Sequence, residues 1–379
     1  MPTRQGWAML AAAVASIATG RVFGLMELFV IGVALAVALV VALLLVNRPL
    51  PRIEVRRVLR PPTVSVGEPA RVDLQVTNRA GIRSPRLKLW EPVGDKGGAP
   101  MQLAPLGSGA SCTAAYRVPT TRRGVLQTGP LRAERTDPLG LAVTSRWMAG
   151  ADEVMVVPER VPLAFPAVGT AGRLGEHLRM KAYGHTGSEF HSQREYAPGD
   201  DLRRINWKTT ARVGTLIVRE TAEEGLRHCT VVLDTMADAY DDDDSFERAV
   251  TAAASAVASA TAAGVNTRLV APGIDLRGPD VAPLSLRWLA TVEVGGDPVD
   301  HTAGGHTHSD GLGLVVVVTG HTGSRSATEI AAKIAPDEVL LTVATSRPPG
   351  GGKGFAIDGT SLDRFASGWN QLVHGRSAA

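Results

Sequence analysis

The chain has little of what disulfide-rich domains and zinc proteins rely on, since its 379 residues include only two cysteines, Cys112 and Cys229. Two cysteines so far apart form neither a disulfide framework nor a zinc-finger pattern, and they fit a reducing compartment. Aromatic residues make up 4% of the sequence, so we expect an aliphatic core. A formal net charge of +3 is too small to argue for nucleic acid as a partner.

Recognisable catalytic and nucleotide-binding motifs are also absent from the sequence. It has no Walker A loop, no Gly-x-Gly-x-x-Gly after the first strand, no Gly-x-Ser-x-Gly and no His-Glu-x-x-His. The glycine-rich segment 348–355 lacks the spacing of a phosphate-binding loop. His301, His306 and His308 stand among glycines, which favours a surface loop over a metal site. We therefore do not expect an enzyme.

Two apolar segments at the N-terminus predict a membrane anchor. Residues 25–46 contain one charge, Glu27, and are long enough as a helix to cross a bilayer core of about 30 Å. Residues 5–20 are uncharged and rich in alanine. They could form a signal peptide, but the second apolar segment follows almost at once, and we favour a helical hairpin over residues 1–50 that turns near Gly24.

Basic residues after the second apolar segment set the expected orientation. They are Arg48, Arg52, Arg56, Arg57 and Arg60, and the short loop of the hairpin has no comparable cluster. Positively charged flanks stay in the cytoplasm. We therefore predict a protein of the cell membrane with the bulk of the chain, and its N-terminus, on the cytoplasmic side.

The body of the chain has two regions with different patterns of predicted secondary structure, and the predicted fold class is therefore multidomain. Residues 51–160 contain short strands separated by turns, as in the alternating segment 71–76, and predict a small β-sandwich. Residues 228–379 alternate between strands and helices and predict a doubly wound α/β domain. Residues 161–227 are interpreted as a linker that carries a charged signature segment. The strand 311–320 is apolar throughout and is expected to be central.

An acidic segment follows the first strand of the α/β domain. This placement resembles von Willebrand A-type domains, in which an aspartate and two serines after that strand bind a metal ion. Here Asp234 is followed by Met236 and Asp238 where serines would stand, and Gly320 replaces a further aspartate. Magnesium at Asp234 and Asp238 is the one cofactor left open. The run 241–244 is interpreted as a solvated turn that favours the N-terminus of the next helix.

The densest charged stretch of the chain is REYAPGDDLRRINWKTTAR, residues 194–212. Pro198-Gly199 predicts a turn, and Asp200 predicts the N-cap of a helix that ends at Gly214. On that helix Arg204, Lys208 and Arg212 would form one basic stripe, with Leu202 and Ile205 on another face. "TLIVRE" (215–220) then predicts a strand.

This stretch resembles the signature of the family catalogued as domain of unknown function 58. The matching residues are Arg194, Glu195, Tyr196, Pro198, Gly199, Asp200, Asp201, Arg204, Ile205, Asn206, Trp207, Ala211 and Arg212. The order of two N-terminal spans, a β-domain closing with TDPLGL (136–141), the signature and a von Willebrand A-like domain is similar too. The resemblance implies a MoxR-type AAA+ ATPase as partner, with a transglutaminase-like membrane protein as a further candidate.

Three interpretations of the signature remain open from the sequence. Its charges could form a buried ion-pair network that only holds the fold together. They could form a docking face for a partner or an anionic ligand. They could be catalytic, with Glu195, Asp200 or Asp201 as acid or base. The leading hypothesis is a non-enzymatic membrane-anchored adaptor; a magnesium-dependent protein-binding receptor and an unrecognised hydrolase are the alternatives.

Overall fold

The computed structural model describes residues 1–61, 63–94, 97–165, 172–185, 192–196, 205–220, 226–296, 312–336, 338–351 and 354–375. They fall into two compact units, Met1–Val157 and Pro158–Ala379. The first unit contains the apolar helices and the strand-rich region. The second contains the α/β region together with the segment 161–227 that the sequence analysis assigned to a linker.

Two antiparallel helices open the first unit, α1 (Arg4–Phe23) and α2 (Met26–Asn47). Both are long and apolar enough to cross a membrane. Thr3 caps α1 by accepting a hydrogen bond from the Gly6 amide. Gly24 forms the turn with a φ of 70°, a conformation that glycine adopts without strain. The turn is thus at the residue that the sequence predicts.

Ten strands follow in the first unit, and they form two mostly antiparallel sheets around one aliphatic core. One sheet has the order β1-β3-β6, and the other has the order β2-β10-β7-β4-β8-β9 with β5 added to β4. The strands are β1 (Ile53–Arg60), β2 (Val64–Ser65), β3 (Ala70–Asn78), β4 (Leu87–Val93), β5 (Gly97–Leu103), β6 (Ser111–Val118), β7 (Gly124–Thr128), β8 (Leu131–Thr136), β9 (Val143–Ala149) and β10 (Asp152–Val157).

Period-two alternation explains the core of this unit. In β3, Val72, Leu74 and Val76 are buried while the residues between them face outward, as the sequence pattern predicts. The apolar pattern of residues 124–134 predicts one strand, and the sequence predicts no strand at the positions of β2, β5 and β9. That segment is two strands because Gly129 has a φ of 85° and Pro130 has no amide hydrogen to donate.

The second unit contains a six-stranded sheet of order β15-β14-β13-β16-β17-β18, in which every neighbouring pair except β14 and β15 is parallel. Its strands and helices are β13 (His228–Leu233), α5 (Asp243–Ala262), β14 (Asn266–Ala271), β15 (Ile274–Arg277), α6 (Val281–Thr291), β16 (Gly313–Thr319), α7 (Arg325–Lys333), β17 (Glu338–Ala344), β18 (Phe355–Asp358) and α8 (Leu362–His374). The predicted alternation of strands and helices is present, and β16 is buried along its whole length.

The helices of this unit show why its sequence alternates. The helix α7 packs through Ala327 and Ile330 on one face of the sheet, and its core there includes Val315 and Val317 of β16. The acidic run before α5 acts as predicted, because Asp242 caps this helix by accepting a hydrogen bond from the Ser245 amide.

The segment before the sheet also belongs to the second unit. The helix α3 (Arg173–His185) packs against α8, and it was not predicted. Residues 161–165 run along two helices, since the Val161 amide donates to Ser255 of α5 and the Trp369 indole of α8 donates to the Ala164 carbonyl.

One charged group in the sheet is buried and is paired with a carboxylate on the neighbouring edge strand. Arg268 on β14 is 3% exposed, and its guanidinium makes a two-pronged contact with Asp275 on the edge strand β15, at 2.8 and 3.0 Å. Hydrogen bonds from Arg277, and then from Arg268, hold the pKa of the Asp275 carboxyl well below its usual range. Asp275 therefore compensates a guanidinium that has lost contact with water.

We expect Asp275→Asn to lower the free energy of unfolding by about 3 kcal/mol, because it removes a negative charge that the buried Arg268 guanidinium contacts directly. The folded pKa is depressed, so the stability due to Asp275 is complete above about pH 5 and is lost as the pH falls. The measurement is urea unfolding of the full chain in detergent between pH 3 and 7. The free energy of unfolding should fall less steeply with decreasing pH in the variant than in the wild type. Glu293→Gln, at an exposed carboxylate, is the control, and equal effects of the two changes would contradict the assignment.

Candidate functional site

The signature segment begins within β11 (Ser192–Glu195) and ends before β12 (Ile217–Glu220), and these two strands pair as an antiparallel ribbon. Arg194 is opposite Val218 and Glu195 is opposite Ile217. The pairing continues beyond β11, where the Tyr196 amide donates to the Leu216 carbonyl at 2.8 Å. The predicted strand at 215–220 is therefore present, and it holds the beginning of the signature in place.

A short helix, α4 (Trp207–Val213), lies between the two strands of the ribbon in sequence. Asn206 is its N-cap, and its side chain accepts a hydrogen bond from the Thr209 amide. Gly214 ends it with a φ of 81°, as the sequence predicts. The ribbon and the helix are tied together by a hydrogen bond from the Ile217 amide to the Thr210 hydroxyl.

The predicted start of this helix at Asp200 is wrong. Ile205 forms a β-bridge with Val218, and the Asn206 amide donates to the Ile217 carbonyl, so neither residue is free to continue a helix. Lys208 and Arg212, four residues apart, lie on one face of α4. Pro198, Gly199, Asp200, Asp201 and Arg204 all lie outside the described residues, as do Leu202 and the three histidines His301, His306 and His308.

The surface around α4 combines exposed apolar and basic side chains. Trp207 is 66% exposed, Val213 is 60% exposed, and Leu216 at the start of the next strand is 40% exposed. Lys208, Arg212 and Glu195 are exposed as well. We call Trp207, Lys208, Arg212, Val213 and Leu216 the α4 face. Among the described residues of the signature, the charged side chains of Glu195, Lys208 and Arg212 are thus at the surface.

Asp234 follows β13 directly and is fully buried at the carboxyl end of the parallel strands. Its Oδ2 accepts a hydrogen bond from the Thr319 hydroxyl at 2.9 Å, and its Oδ1 accepts one from the Ser326 hydroxyl at 3.0 Å. The Met236 amide donates to Oδ1 at 3.1 Å. Three donors from the ends of β13, β16 and the start of α7 therefore surround one carboxylate, which we call the Asp234 cluster.

The hydroxyl protons of this cluster can be assigned one by one. Thr319 Oγ1 lies 2.9 Å from both Asp234 and Ser324 Oγ, and it has one proton to give. Because the carboxylate is acceptor-only, Thr319 donates to Asp234 and accepts from Ser324. The Ser324 hydroxyl in turn accepts from the Ala327 amide as N-cap of α7. Every proton in this chain of hydrogen bonds has an acceptor.

The two residues predicted as magnesium ligands differ in their surroundings. Asp234 is buried and has both carboxylate oxygens engaged by hydroxyl or amide donors, whereas Asp238 lies exposed on a turn at residues 237–239. The Met236 sulfur, which is a poor ligand for a hard cation, contacts the Ser326 hydroxyl at 3.6 Å. The described residues contain no group of three or more His, Cys, Asp or Glu side chains placed to hold a metal ion. These residues fit a hydrogen-bonded carboxylate better than a magnesium site.

The sequence places Asp234 and Thr319 at the carboxyl ends of neighbouring strands, but sequence reasoning missed Ser324, Ser326 and Tyr240 as members of this edge. The signal was the cluster of hydroxyl residues in TGHTGSRS, directly after the central strand and before α7. The Tyr240 hydroxyl donates to the Asp234 carbonyl. Burial, and secondarily the Asp234 charge, raise the pKa of Tyr240 well above its usual range, so this phenol remains a donor at physiological pH.

Residues 192–278 match the model of a family described as "Protein of unknown function DUF58". The match covers less than half of the chain and includes the signature segment, β13 and Asp234. Together with the two N-terminal apolar helices, it supports the resemblance to this family. A comparison with curated proteins found no match.

Solved structures resemble parts of the chain at low TM-scores. The CARDB domain of the PF1109 protein from Pyrococcus furiosus, in complex with di-metal ions, is 19% identical and has a TM-score of 0.23, over 29% of this chain and 96% of that chain. The PapD-like domain 7 of human CEP192 is 13% identical with a TM-score of 0.20, over 30% and 92%. The DNA glycosylase AlkC from Pseudomonas fluorescens is 14% identical with a TM-score of 0.19, over 28% and 30%. Scores this low carry no argument about function.

We expect Thr319→Val to lower the free energy of unfolding by about 1–3 kcal/mol, because it keeps the side-chain shape and removes a donor from a buried carboxylate. Denaturant unfolding of the full chain would measure the loss. Thr342→Val, at a buried threonine of β17 outside the cluster, is the control. A loss no larger than that of the control would show that the hydrogen bond to Asp234 contributes nothing.

We expect millimolar magnesium to leave the thermal unfolding temperature of the full chain unchanged, because the Asp234 oxygens already have donors. Any ion bound to the folded state alone would raise that temperature. The measurement is a thermal melt with magnesium or with EDTA. A magnesium-dependent rise that disappears in Asp234→Asn or Asp238→Asn would restore the predicted metal site.

Proposed function

We propose that this chain is a membrane-anchored adaptor that binds a MoxR-type AAA+ ATPase in the cytoplasm and has no enzymatic activity of its own. The observation that carries the proposal is the α4 face, which presents an exposed tryptophan together with exposed apolar and basic side chains. Tryptophan and arginine dominate the binding energy of protein interfaces, and a tryptophan this exposed contributes little to its own fold.

The structural support under the α4 face makes it a firm surface. Ile205, Ile217 and Val218 are buried beneath it, and the N-cap at Asn206 is buried too. Two hydrogen bonds join α4 to the ribbon at Ile217, because the Asn206 amide donates to its carbonyl and its amide donates to the Thr210 hydroxyl. A helix held in this way loses little conformational freedom on binding, which favours affinity.

The anchor and the expected orientation complete the proposal. The two apolar helices would cross the cell membrane, and the exposed Arg48, Arg52 and Arg56 after them would keep the rest of the chain in the cytoplasm. The six-stranded sheet with its helices would serve as a von Willebrand A-like binding domain. The ATPase is the partner that the family resemblance implies, and the transglutaminase-like membrane protein is a further candidate in the same assembly.

The test uses the full chain in nanodiscs and the MoxR-type ATPase from the same source, without nucleotide and with ADP or a slowly hydrolysed ATP analogue. We expect Trp207→Ala to weaken binding about 10-fold or more, as loss of an interface anchor does. Lys208→Glu/Arg212→Glu should also weaken binding of the ATPase, and the loss of affinity should be larger at low salt than at high salt. Binding would be measured by surface plasmon resonance.

Two matched variants control this experiment. Leu284→Ala removes an exposed apolar side chain of α6, and Arg287→Glu/Lys333→Glu makes the same change of charge on other helices of the second unit. Thermal melts establish that all variants are folded. If the α4 variants bind as well as their controls, the α4 face is not the docking surface. If the wild-type chain does not bind in any nucleotide state, the proposed partner is wrong.

A further inference from the structure

The loop between β8 and β9, residues 137–142, is docked on the helical hairpin. The Thr3 amide donates to the Leu141 carbonyl and the Val143 amide donates to the Met1 carbonyl, both at 2.9 Å. Leu141 and Ala142 are buried in one cluster with residues Leu39, Ala42 and Val46 of α2. Gly6 has no room for a side chain, since a Cβ there would lie 2.1 Å from the Leu141 oxygen. The loop and the hairpin therefore form one packed structure.

The position of this contact along α2 sets its depth. The helix has 22 residues and is about 33 Å long, which matches a hydrocarbon core of about 30 Å. The cluster around Leu141 extends along α2 from Leu39 to Val46, which is in the last turn, so one end of it lies where the apolar core meets the headgroups. Leu139, two residues before Leu141 at the tip of the loop, is 65% exposed.

The neighbouring loop, residues 79–86, lies at the same end of the two sheets. β4 begins at Leu87 and runs antiparallel to β8, with Lys88 opposite Glu134, so the start of β4 is beside the end of β8. The Arg79 amide also donates to the carbonyl of Arg52, close to the end of α2. This loop carries Ile82, which is 66% exposed.

Basic residues accompany both apolar tips. Arg48, Arg83 and Arg86 are exposed on this end. The carboxylate of Asp137 is turned inward, because it accepts hydrogen bonds from the amides of Leu139 and Ala142. The surface therefore shows apolar tips and cationic side chains, the combination that binds an anionic lipid interface.

We infer that this end of the strand-rich region, through Leu139 and Ile82, rests in the headgroup layer of the membrane that the hairpin crosses, and that anionic lipid headgroups are its partner. The inference rests on the membrane anchoring in the proposed function and is independent of the ATPase. The lipid surface is the occupant because the apolar tips lie beside the end of a helix that leaves the bilayer. The strand-rich region is accordingly held against the membrane by its own contacts as well as by the connection to α2.

The experiment places a fluorescent probe at single cysteines of the full chain in vesicles of phosphatidylcholine and phosphatidylglycerol. Cys112→Ala removes the partly exposed cysteine, and Cys229 stays unlabelled because it is fully buried and burial raises the pKa of its thiol to about 12. Leu139→Cys and Ile82→Cys report on the two tips. Quenching is measured with a nitroxide on the lipid headgroup or deep in the acyl chain.

Two further positions give the reference values. Thr121→Cys lies in the exposed loop after β6, at the opposite end of the same sheets, and Val37→Cys lies at an exposed position in the middle of α2. We expect the headgroup nitroxide to quench the probes at Leu139 and Ile82 and to leave the probe at Thr121 unchanged. The deep nitroxide should quench the probe at Val37.

Three results would overturn the inference. If Val37 is quenched while Leu139 and Ile82 behave like Thr121, the anchor holds and the contact with lipid does not exist. If the probes at Leu139 and Ile82 emit as in an apolar environment but neither nitroxide quenches them, these residues contact protein and not lipid. If Val37 is not quenched either, the anchoring fails as well, and the inference fails with it.

Discussion

Asp234 carries a fully buried carboxylate at the carboxyl end of β13, and burying a charge without donors is among the costliest events in folding. The cost is offset by hydroxyl groups that approach from Thr319 and Ser326 and by an amide from its own turn. These donors belong to different elements, so the carboxylate fixes the ends of β13 and β16 and the start of α7 relative to one another. The geometry of this edge depends on that one interaction.

The same interaction bears on where a partner could bind. Ligands of parallel sheets usually approach the carboxyl ends of the strands, and a metal there needs oxygen lone pairs that are not already engaged. In the Asp234 cluster the hydroxyl protons point at the carboxylate and at each other. The α4 face has the opposite character, since its large side chains are exposed while its backbone is firmly held. This contrast is why we place partner binding at α4 and give the Asp234 cluster a structural role.

Local patterns made much of this structure predictable. The apolar run 311–320, the period-two alternation of β3 and the helix ends at Gly24 and Gly214 depend on residues close in sequence. The start of α4 was not predictable in this way. The Asn206 amide is hydrogen-bonded to Ile217 of a strand that follows α4 in sequence, and the helix therefore begins only after Asn206. The Asp234 cluster was hidden for the same reason, since Ser326 meets Asp234 across 92 positions of the chain. Hydroxyl residues in a loop also look alike whether they face water or a carboxylate.

In the first unit the helical hairpin is joined to the strand-rich region by more than the connection after α2. A flexible connection after α2 would let the strand-rich region tumble, but the backbone hydrogen bonds at Thr3 and Val143 and the packing of Leu141 leave it little freedom. Gly6 allows that approach, and Asp137 keeps the loop rigid by using its carboxylate on the loop's own amides. The docked loop therefore fixes the strand-rich region to the helical hairpin by direct contacts, in addition to the connection after α2.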